Sequence, residues 1–342
     1  MSLFGKRHTG ESVVLIDVGA RSVTGGYAHF PADVLPQLVY TTRVQIEFRD
    51  GELEQEAVVR ALTELDEVLI RDGAPALLRL TGRGSADAIL VSVDAPWQRT
   101  FVRSEYLEEQ KPFVFSRRLV ASVLEKTQAK PTGKILVDES VIGTILNGYE
   151  TKDPYDKEVH RAEIVILTSL IDESIANAII TTLEHAYHTK NVYPIAGSSL
   201  RYQVIRTVFP HERDALIFDV TEPLTSIALV RRDLFMAHSQ VTENIATVEG
   251  WVQQIRTELA ELARQFPLPR TIFLLAREPE IFGLQEALAA AKLGDLWLSD
   301  SPPTVVPVVA GQLANFVQQS TTSPADLLML LMTLYWKNQS TP

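Results

Sequence analysis

The sequence contains no cysteine, which excludes disulfide bonds, thiolate zinc sites, iron–sulfur clusters and cysteine nucleophiles. Positive charge is also scarce: 32 lysines and arginines stand against 43 aspartates and glutamates, giving a net charge of −11. Because phosphate recognition requires a basic surface, this balance argues against a nucleic-acid-binding protein. Hydrophobic residues make up 46% of the chain, which excludes global disorder.

Long apolar runs are missing as well. The first apolar stretch, Val13 to Ile16, is cut by Asp17 after four residues, so the sequence does not predict an export signal. No run reaches the roughly 18 to 20 apolar residues that cross a bilayer. We therefore expect a cytoplasmic protein.

Two stretches of the chain share one plan. The predicted strand Ser12 to Val18 contains Asp17 and leads through a tight turn into a second strand. The predicted strand Ala215 to Val220 contains Asp219 and does the same. A further strand and a helix follow each hairpin. The repeat rests on pattern, because sequence identity between the halves is weak, and it predicts two similar α/β domains that face each other.

Helical periodicity predicts helices at Gln55 to Arg71, with Gly73 as the stop, and at Glu249 to Gln265. An apolar helix is also expected at Val305 to Gln319. The predicted boundaries are a first domain at 10–84 and 170–208, an inserted α+β unit at 85–169, a second domain at 209–320 and a tail at 321–342.

The segment from Leu15 to Thr24 resembles the first phosphate loop of the actin-like ATPase superfamily. In that superfamily the strand-end aspartate faces a metal ion, and a turn of small residues approaches the nucleotide phosphates. The physics is consistent, since turn N–H groups attract anions and a carboxylate orients water around magnesium. The candidate nucleotide site that the resemblance implies comprises Asp17, Gly19, Ser22, Asp219, Thr221 and Thr225.

Within that superfamily the chain is most similar to the FtsA/PilM group. The insert lies where that group carries an extra small domain, and the stretch Ile145 to Tyr149 with Asp153-Pro154 resembles part of it. The opening Leu3 to Arg7 resembles many PilM starts. The resemblance implies two ribonuclease-H-like domains with a small α+β domain inserted in the first.

Three departures from the family favour a degenerate site. The second phosphate loop lacks glycine and carries Glu222 and Pro223, which repel a phosphate and remove an N–H donor. Ala276 to Pro279 stands where the family has a glycine-rich adenosine motif. Only the helix Glu249 to Gln265 lies where a nucleotide-covering subdomain is usual. We expect no catalytic residue, no metal and no cofactor.

The resemblance implies a cytoplasmic bacterial scaffold at the inner face of the membrane. Its partner would be the cytoplasmic segment of an inner-membrane protein in type IV pilus assembly or cell division, with self-association as a second contact. The alternative is an active ATPase, in which ATP and magnesium control filament formation. Nucleotide-dependent sedimentation separates the two hypotheses.

Several smaller features stay open at the level of sequence. The apolar tail Leu327 to Trp336 is interpreted as core or partner packing ahead of membrane contact, because only Lys337 provides a nearby cation. His185 and His188 share a helix, but no third metal ligand is apparent, so an exposed helix end is the favoured interpretation. The aromatic residues of the insert are either core or partner anchors: Trp97, Phe113, Phe115 and Tyr149.

Overall fold

The apolar runs of the sequence form strands, and these strands are arranged in three β-sheets. The computed structural model describes residues 10–32, 34–127, 131–220, 224–241, 247–298, 302–319 and 326–340. Two larger sheets carry helices on their faces, and a smaller third sheet belongs to the region of the predicted insert. This is the mixed α/β architecture that the sequence predicts.

The first sheet has six strands in the order β15-β3-β2-β1-β4-β9. Its central strand β1 is buried on both faces, because its run of Val and Ile leaves no polar side to face water. The strands are β1 Glu11–Val18, β2 Ser22–Phe30, β3 Gln37–Gln45, β4 Ala88–Val93, β9 Val192–Ala196 and β15 Gln318–Gln319.

Helices α1 Glu54–Val68 and α4 Glu173–Tyr187 pack on one face of this sheet. The prediction that Gly73 stops the first helix is wrong, because the chain continues through a π-helical turn, Leu69–Gly73, into α2 Ala74–Thr81. Gly73 has right-handed helical backbone angles, and a Cβ there would lie 2.8 Å from the Tyr27 ring. The glycine therefore allows close packing and does not end the helix.

The second sheet has five strands in the order β12-β11-β10-β13-β14. They are β10 Ala215–Asp219, β11 Thr225–Arg231, β12 Leu234–Val241, β13 Thr271–Leu275 and β14 Thr304–Pro307. Helices α6 Val248–Gln265 and α7 Glu278–Ala290 cover its outer face. Helix α6 is the one element described between β12 and β13, and residues 242–246 lie outside the described part.

The helix predicted at Val305 to Gln319 is wrong. The β-branched residues of β14 pair in parallel with β13, so they extend the sheet, and Pro307 ends the strand because it has no N–H to donate. A single helical turn, α8 Ala310–Leu313, and the two residues of β15 follow.

The third sheet has the order β5-β8-β6-β7 and packs against α3 Arg117–Thr127. Its strands are β5 Gln98–Phe115, β6 Lys134–Leu146, β7 Tyr149–Glu150 and β8 Lys157–Asp172. Strand β5 has no counterpart in the sequence prediction. Its outer half is mostly exposed and carries Glu105, Glu108, Glu109 and Lys111, so no apolar alternation marks it.

The C-terminal helix α9 Leu327–Ser340 lies in the core, together with α5 Gly197–Val208. One apolar cluster joins both helices to the inner faces of the two larger sheets. Leu330 and Trp336 are 0% and 1% exposed, so the helix has no free apolar face for a lipid surface. Core packing, the favoured interpretation of the tail, is confirmed. Among the described residues, no helix is long and apolar enough to cross a bilayer.

Candidate functional site

Three chain segments converge at one edge of the first sheet. Strands β1, β4 and β9 are parallel neighbours, so their carboxyl ends meet there. Asp17 lies near the end of β1, Asp94 directly follows β4, and helix α5 begins with Gly197 directly after β9. Two carboxylates therefore lie near the amino end of a helix, whose dipole favours negative charge.

Arg201, one turn into α5, lies between the strand-end aspartates of the two larger sheets. Its two terminal nitrogens donate to both carboxylate oxygens of Asp94, at 2.8 and 2.7 Å. Its Nε forms an ion pair with Oδ2 of Asp219, at the end of β10 in the second sheet. Nη2 lies 3.9 Å from Oδ1 of Asp17. One guanidinium thus bridges three carboxylates from two sheets, and we call these four residues the Arg201 cluster.

Three of the four residues of the Arg201 cluster are buried, and Asp219 is partly buried. Arg201 is 2% exposed, Asp17 1% and Asp94 7%. Burial alone would lower the pKa of the guanidinium, but the carboxylates of Asp219, Asp94 and Asp17 together raise that pKa above its ordinary value. Arg201 therefore stays charged. Burial raises the pKa of Asp94, and the attraction of Arg201 opposes that rise.

Gly197 leaves the space that the Asp94–Arg201 pair needs. A Cβ on this residue would lie 1.7 Å from Oδ1 of Asp94 and 2.2 Å from Nη1 of Arg201. Both atoms are fixed by the ion pair, so a methyl group has to push the pair apart.

We expect Gly197→Ala to lower the free energy of unfolding by about 2–3 kcal/mol, because the buried ion pair must shift. Gly283→Ala is the matched control, since Gly283 lies inside α7 and its Cβ would meet nothing within 4 Å. The control should gain about 0.5–1 kcal/mol. Urea unfolding of both variants measures the difference, and equal stabilities would contradict this account of Gly197.

The structure brings together only part of the site that the sequence predicts. Asp17 and Asp219 meet through Arg201, whereas Gly19 closes the β1–β2 turn by donating its N–H to the Ser22 carbonyl at 2.9 Å. The Ser22 hydroxyl accepts from Nη1 of Arg43 at 3.3 Å. Thr225 is fully buried.

The Thr225 hydroxyl accepts a hydrogen bond of 2.8 Å from the indole of Trp251 on α6. Thr221 lies outside the described residues, as do Glu222 and Pro223, so the predicted second loop has no structural description.

The described residues do not fit magnesium and a nucleotide between the two strand-end aspartates. The guanidinium already occupies the position between Asp17, Asp94 and Asp219. The void directly between the strand ends, lined by Asp94, Asp219 and Ser226 among others, has a volume of about 10 Å³, and the larger cavity of about 540 Å³ that shares Gln98 with it includes neither Asp94 nor Asp219 in its lining. Ligand pockets usually measure roughly 300–1,000 Å³. The Arg201 guanidinium thus occupies the position where the family resemblance implies a metal ion.

Sequence reasoning missed Arg201, Asp94 and Gly197. One signal was available, because Asp94 is a third aspartate that follows a buried strand and three such carboxylates require a cation. The helical spacing of Gly197, Arg201 and Ile205 also places the arginine on the side of α5 that faces the core.

The remaining candidates have plain structural roles or stay open. Trp97 and Phe115 are buried at 3% and 0% exposure, Phe113 is partly buried, and Tyr149 is 76% exposed. His185 and His188 lie at the end of α4, with ring centroids 6.4 Å apart. In the part of the chain that the structure describes, no third ligand joins them.

Comparison with known proteins supports the fold. No protein-family model and no curated protein matches the sequence. The solved PilM–PilN type IV pilus biogenesis complex aligns with a TM-score of 0.60 at 14% identity, covering 96% of this chain and 99% of that one. The chain has the actin-like fold. The predicted resemblance to the superfamily is thereby confirmed for the fold.

Two further structures align over nearly the whole chain at lower scores. A Bacteroides thetaiotaomicron protein with an actin-like ATPase fold and unknown function has a TM-score of 0.46 at 10% identity, covering 97% of this chain and 98% of that one. The cytoplasmic domain of EpsL, an inner-membrane component of the Vibrio cholerae type II secretion system, has a TM-score of 0.40 at 11% identity, covering 96% and 95%.

Proposed function

We propose that the protein is a non-catalytic adaptor of the PilM type in the bacterial cytoplasm. In this role it docks the cytoplasmic segment of an inner-membrane protein of a type IV pilus or related secretion system. The observation that carries the proposal is the position of Arg201 between the strand-end aspartates of both domains. The likeness to the PilM–PilN structure supports the choice of system.

The position of Arg201 favours an adaptor role for a physical reason. In an actin-like ATPase, the two domains are held across a metal-bound nucleotide, which is lost and replaced as the cycle proceeds. An arginine is part of the chain and cannot dissociate as a nucleotide does, and its ion pairs link α5 and the first sheet to Asp219 of the second sheet. A fixed arrangement of domains suits a scaffold that presents constant surfaces.

The third sheet offers surfaces for such contacts. Tyr106 on β5 and Tyr149 on β7 are 73% and 76% exposed, far more than most tyrosines in a folded domain. Exposed aromatic side chains are frequent anchors of protein interfaces. We therefore propose that the partner contacts the third sheet, and that Tyr106 and Tyr149 are the residues to test first.

Calorimetry with Mg–ATP tests the non-catalytic half of the proposal. We expect no binding with a dissociation constant below roughly 1 mM, because the Arg201 guanidinium occupies the position of the metal ion and already neutralises the strand-end aspartates. Asp17→Ala serves as the comparison. Micromolar binding that Asp17→Ala abolishes, or sedimentation of filaments that depends on ATP, would support the active ATPase instead.

Affinity capture from detergent-solubilised membranes of the native host tests the adaptor half. We expect inner-membrane proteins of a pilus or secretion system to be retained by the full chain. Retention should fall in a Tyr106→Ala/Tyr149→Ala double variant and persist in Leu298→Ala, whose side chain is 88% exposed in the second domain region. Recovery of the tubulin-like division protein would assign the adaptor to cell division.

A further inference from the structure

The cavity of about 540 Å³ lies between the second and third sheets and has the size of a ligand pocket. One wall is the first part of β5, the opposite wall is the middle of β12, and Pro96 and Lys134 complete the lining. Both β5 and β12 are edge strands, so the cavity lies where two sheets meet without pairing. Its lining includes no member of the Arg201 cluster.

The lining of this cavity is positively charged, although the protein has a net charge of −11. Among the described residues that line it, Arg99 and Lys134 are cations and none is an aspartate or glutamate. Arg99 is exposed, its guanidinium lies 5.7 Å from the centre of the Phe101 ring, and it forms no ion pair with a described residue. Lys134 forms an ion pair with Asp172, but an ammonium group has three donors. The cavity therefore favours an anionic ligand.

Gln98 provides a neutral donor in the same cavity. It is 5% exposed, and its amide oxygen accepts a hydrogen bond of 3.1 Å from the Thr100 hydroxyl. Its amide nitrogen makes no hydrogen bond with the described residues and, unlike Nε2 of His238, it is not closed to solvent. Because the bond to Thr100 fixes the orientation of the amide, the two N–H groups stay available to an acceptor on a ligand.

The remaining walls select the kind of anion. Much of the lining is apolar and consists of Pro96, Phe101, Val102, Met236 and Ala237. Such walls favour a ligand with a carbon skeleton over a free inorganic ion. A phosphate monoester carries about −1.5 to −2 charges at pH 7 and has three acceptor oxygens, which match two cations and an amide donor better than a single carboxylate does.

We propose that this cavity binds a small organic phosphate. Arg99, Lys134 and Gln98 hold the phosphate group, and the carbon skeleton packs against Phe101 and Met236. A ligand in this position contacts both the second and the third sheet. The site goes beyond the adaptor function proposed above, because it requires neither a membrane partner nor an inactive nucleotide site. Failure of one proposal leaves the other intact.

Calorimetry of the full chain with phenyl phosphate tests the proposal, because this compound has a phosphate monoester and a ring but no nucleobase or ribose. We expect a dissociation constant below roughly 1 mM, and binding of inorganic phosphate about tenfold weaker because it lacks the apolar part. Arg99→Gln should weaken the binding of phenyl phosphate about tenfold, since it removes a charged hydrogen bond. Arg118→Gln is the matched control, because Arg118 is exposed on α3 and does not line the cavity.

NMR spectra of the histidine rings locate the bound compound. Burial lowers the pKa of His238 to about 4, so its ring stays neutral at pH 7 and titration does not move its signals there. Phenyl phosphate should shift the signals of His238, which lines the cavity, and leave those of His29 on β2 unchanged. No binding at millimolar phenyl phosphate, equal affinities of Arg99→Gln and the parent, an equal loss in Arg118→Gln, or unchanged His238 signals would overturn the proposal.

Discussion

Arg201→Ala should lower the free energy of unfolding by about 3–5 kcal/mol, the usual loss when one partner of a buried ion pair is removed. The substitution leaves Asp17, Asp94 and Asp219 facing one another without the guanidinium that bridges them. It also breaks the ion pair between α5 and the second sheet. Chemical unfolding at neutral pH measures the effect.

The loss should depend on pH with a definite sign. Burial already raises the pKa of Asp94, and removing Arg201 removes the attraction that opposes this rise. A carboxyl group whose pKa is raised in the folded state destabilises the protein as pH rises through that pKa. The variant should therefore recover stability as the solution is acidified from neutral pH towards the ordinary aspartate pKa of about 4, relative to the parent.

Divalent cations should act on the same variant. Three carboxylates around a vacated position are oxygen ligands that suit magnesium or calcium. Millimolar magnesium should therefore raise the melting temperature of Arg201→Ala and leave that of the parent unchanged. A variant that responds to neither pH nor magnesium would contradict the view that Arg201 replaces a metal ion.

Arg206→Ala is the matched control on the same helix. Arg206 lies one turn or so further along α5, where it contacts the Tyr202 hydroxyl at 3.1 Å and stacks over that ring. Its removal should cost no more than about 1 kcal/mol. A similar loss of unfolding free energy in both variants would mean that α5 is sensitive to any substitution. It would contradict a special role for Arg201.

The strands that carry Asp17 and Asp219 could be predicted because their apolar runs are local and strong. Strand β9 and helix α5 could not. Strand β9 has five residues and includes Pro194, and α5 places Arg201 where an apolar residue would mark the buried face. Arg201 thus weakens the apolar periodicity that would predict α5.

The candidate site shows the same limit. Sequence patterns located the two strand-end aspartates and favoured a degenerate nucleotide site, but they did not provide the cation between them. The Asp94–Arg201 pair joins residues 107 positions apart, and no local period records such a contact. Glu222 and Pro223, which favour a degenerate site in the sequence, lie outside the described residues, whereas Arg201 is described and lies between the aspartates.

Trp336→Ala in the C-terminal helix should lower the free energy of unfolding by about 3–5 kcal/mol, as expected for a large aromatic side chain removed from a core. Trp336 is 1% exposed and packs against the Tyr193 ring at a centroid distance of 5.6 Å. Its indole N–H donates to Oε2 of Glu11 at 3.0 Å, which ties the tail to the first strand. Thermal or urea unfolding of the full chain measures the loss.

Leu298→Ala is the control, because this side chain is 88% exposed and its loss should change stability by no more than about 0.5 kcal/mol. The two variants separate a core helix from a surface anchor. If α9 is a core element, Trp336→Ala unfolds more easily and the parent protein does not float with liposomes. Unchanged stability of Trp336→Ala together with flotation of the parent would support a membrane anchor. The apolar residues of the tail would then contact lipid instead of the two sheets.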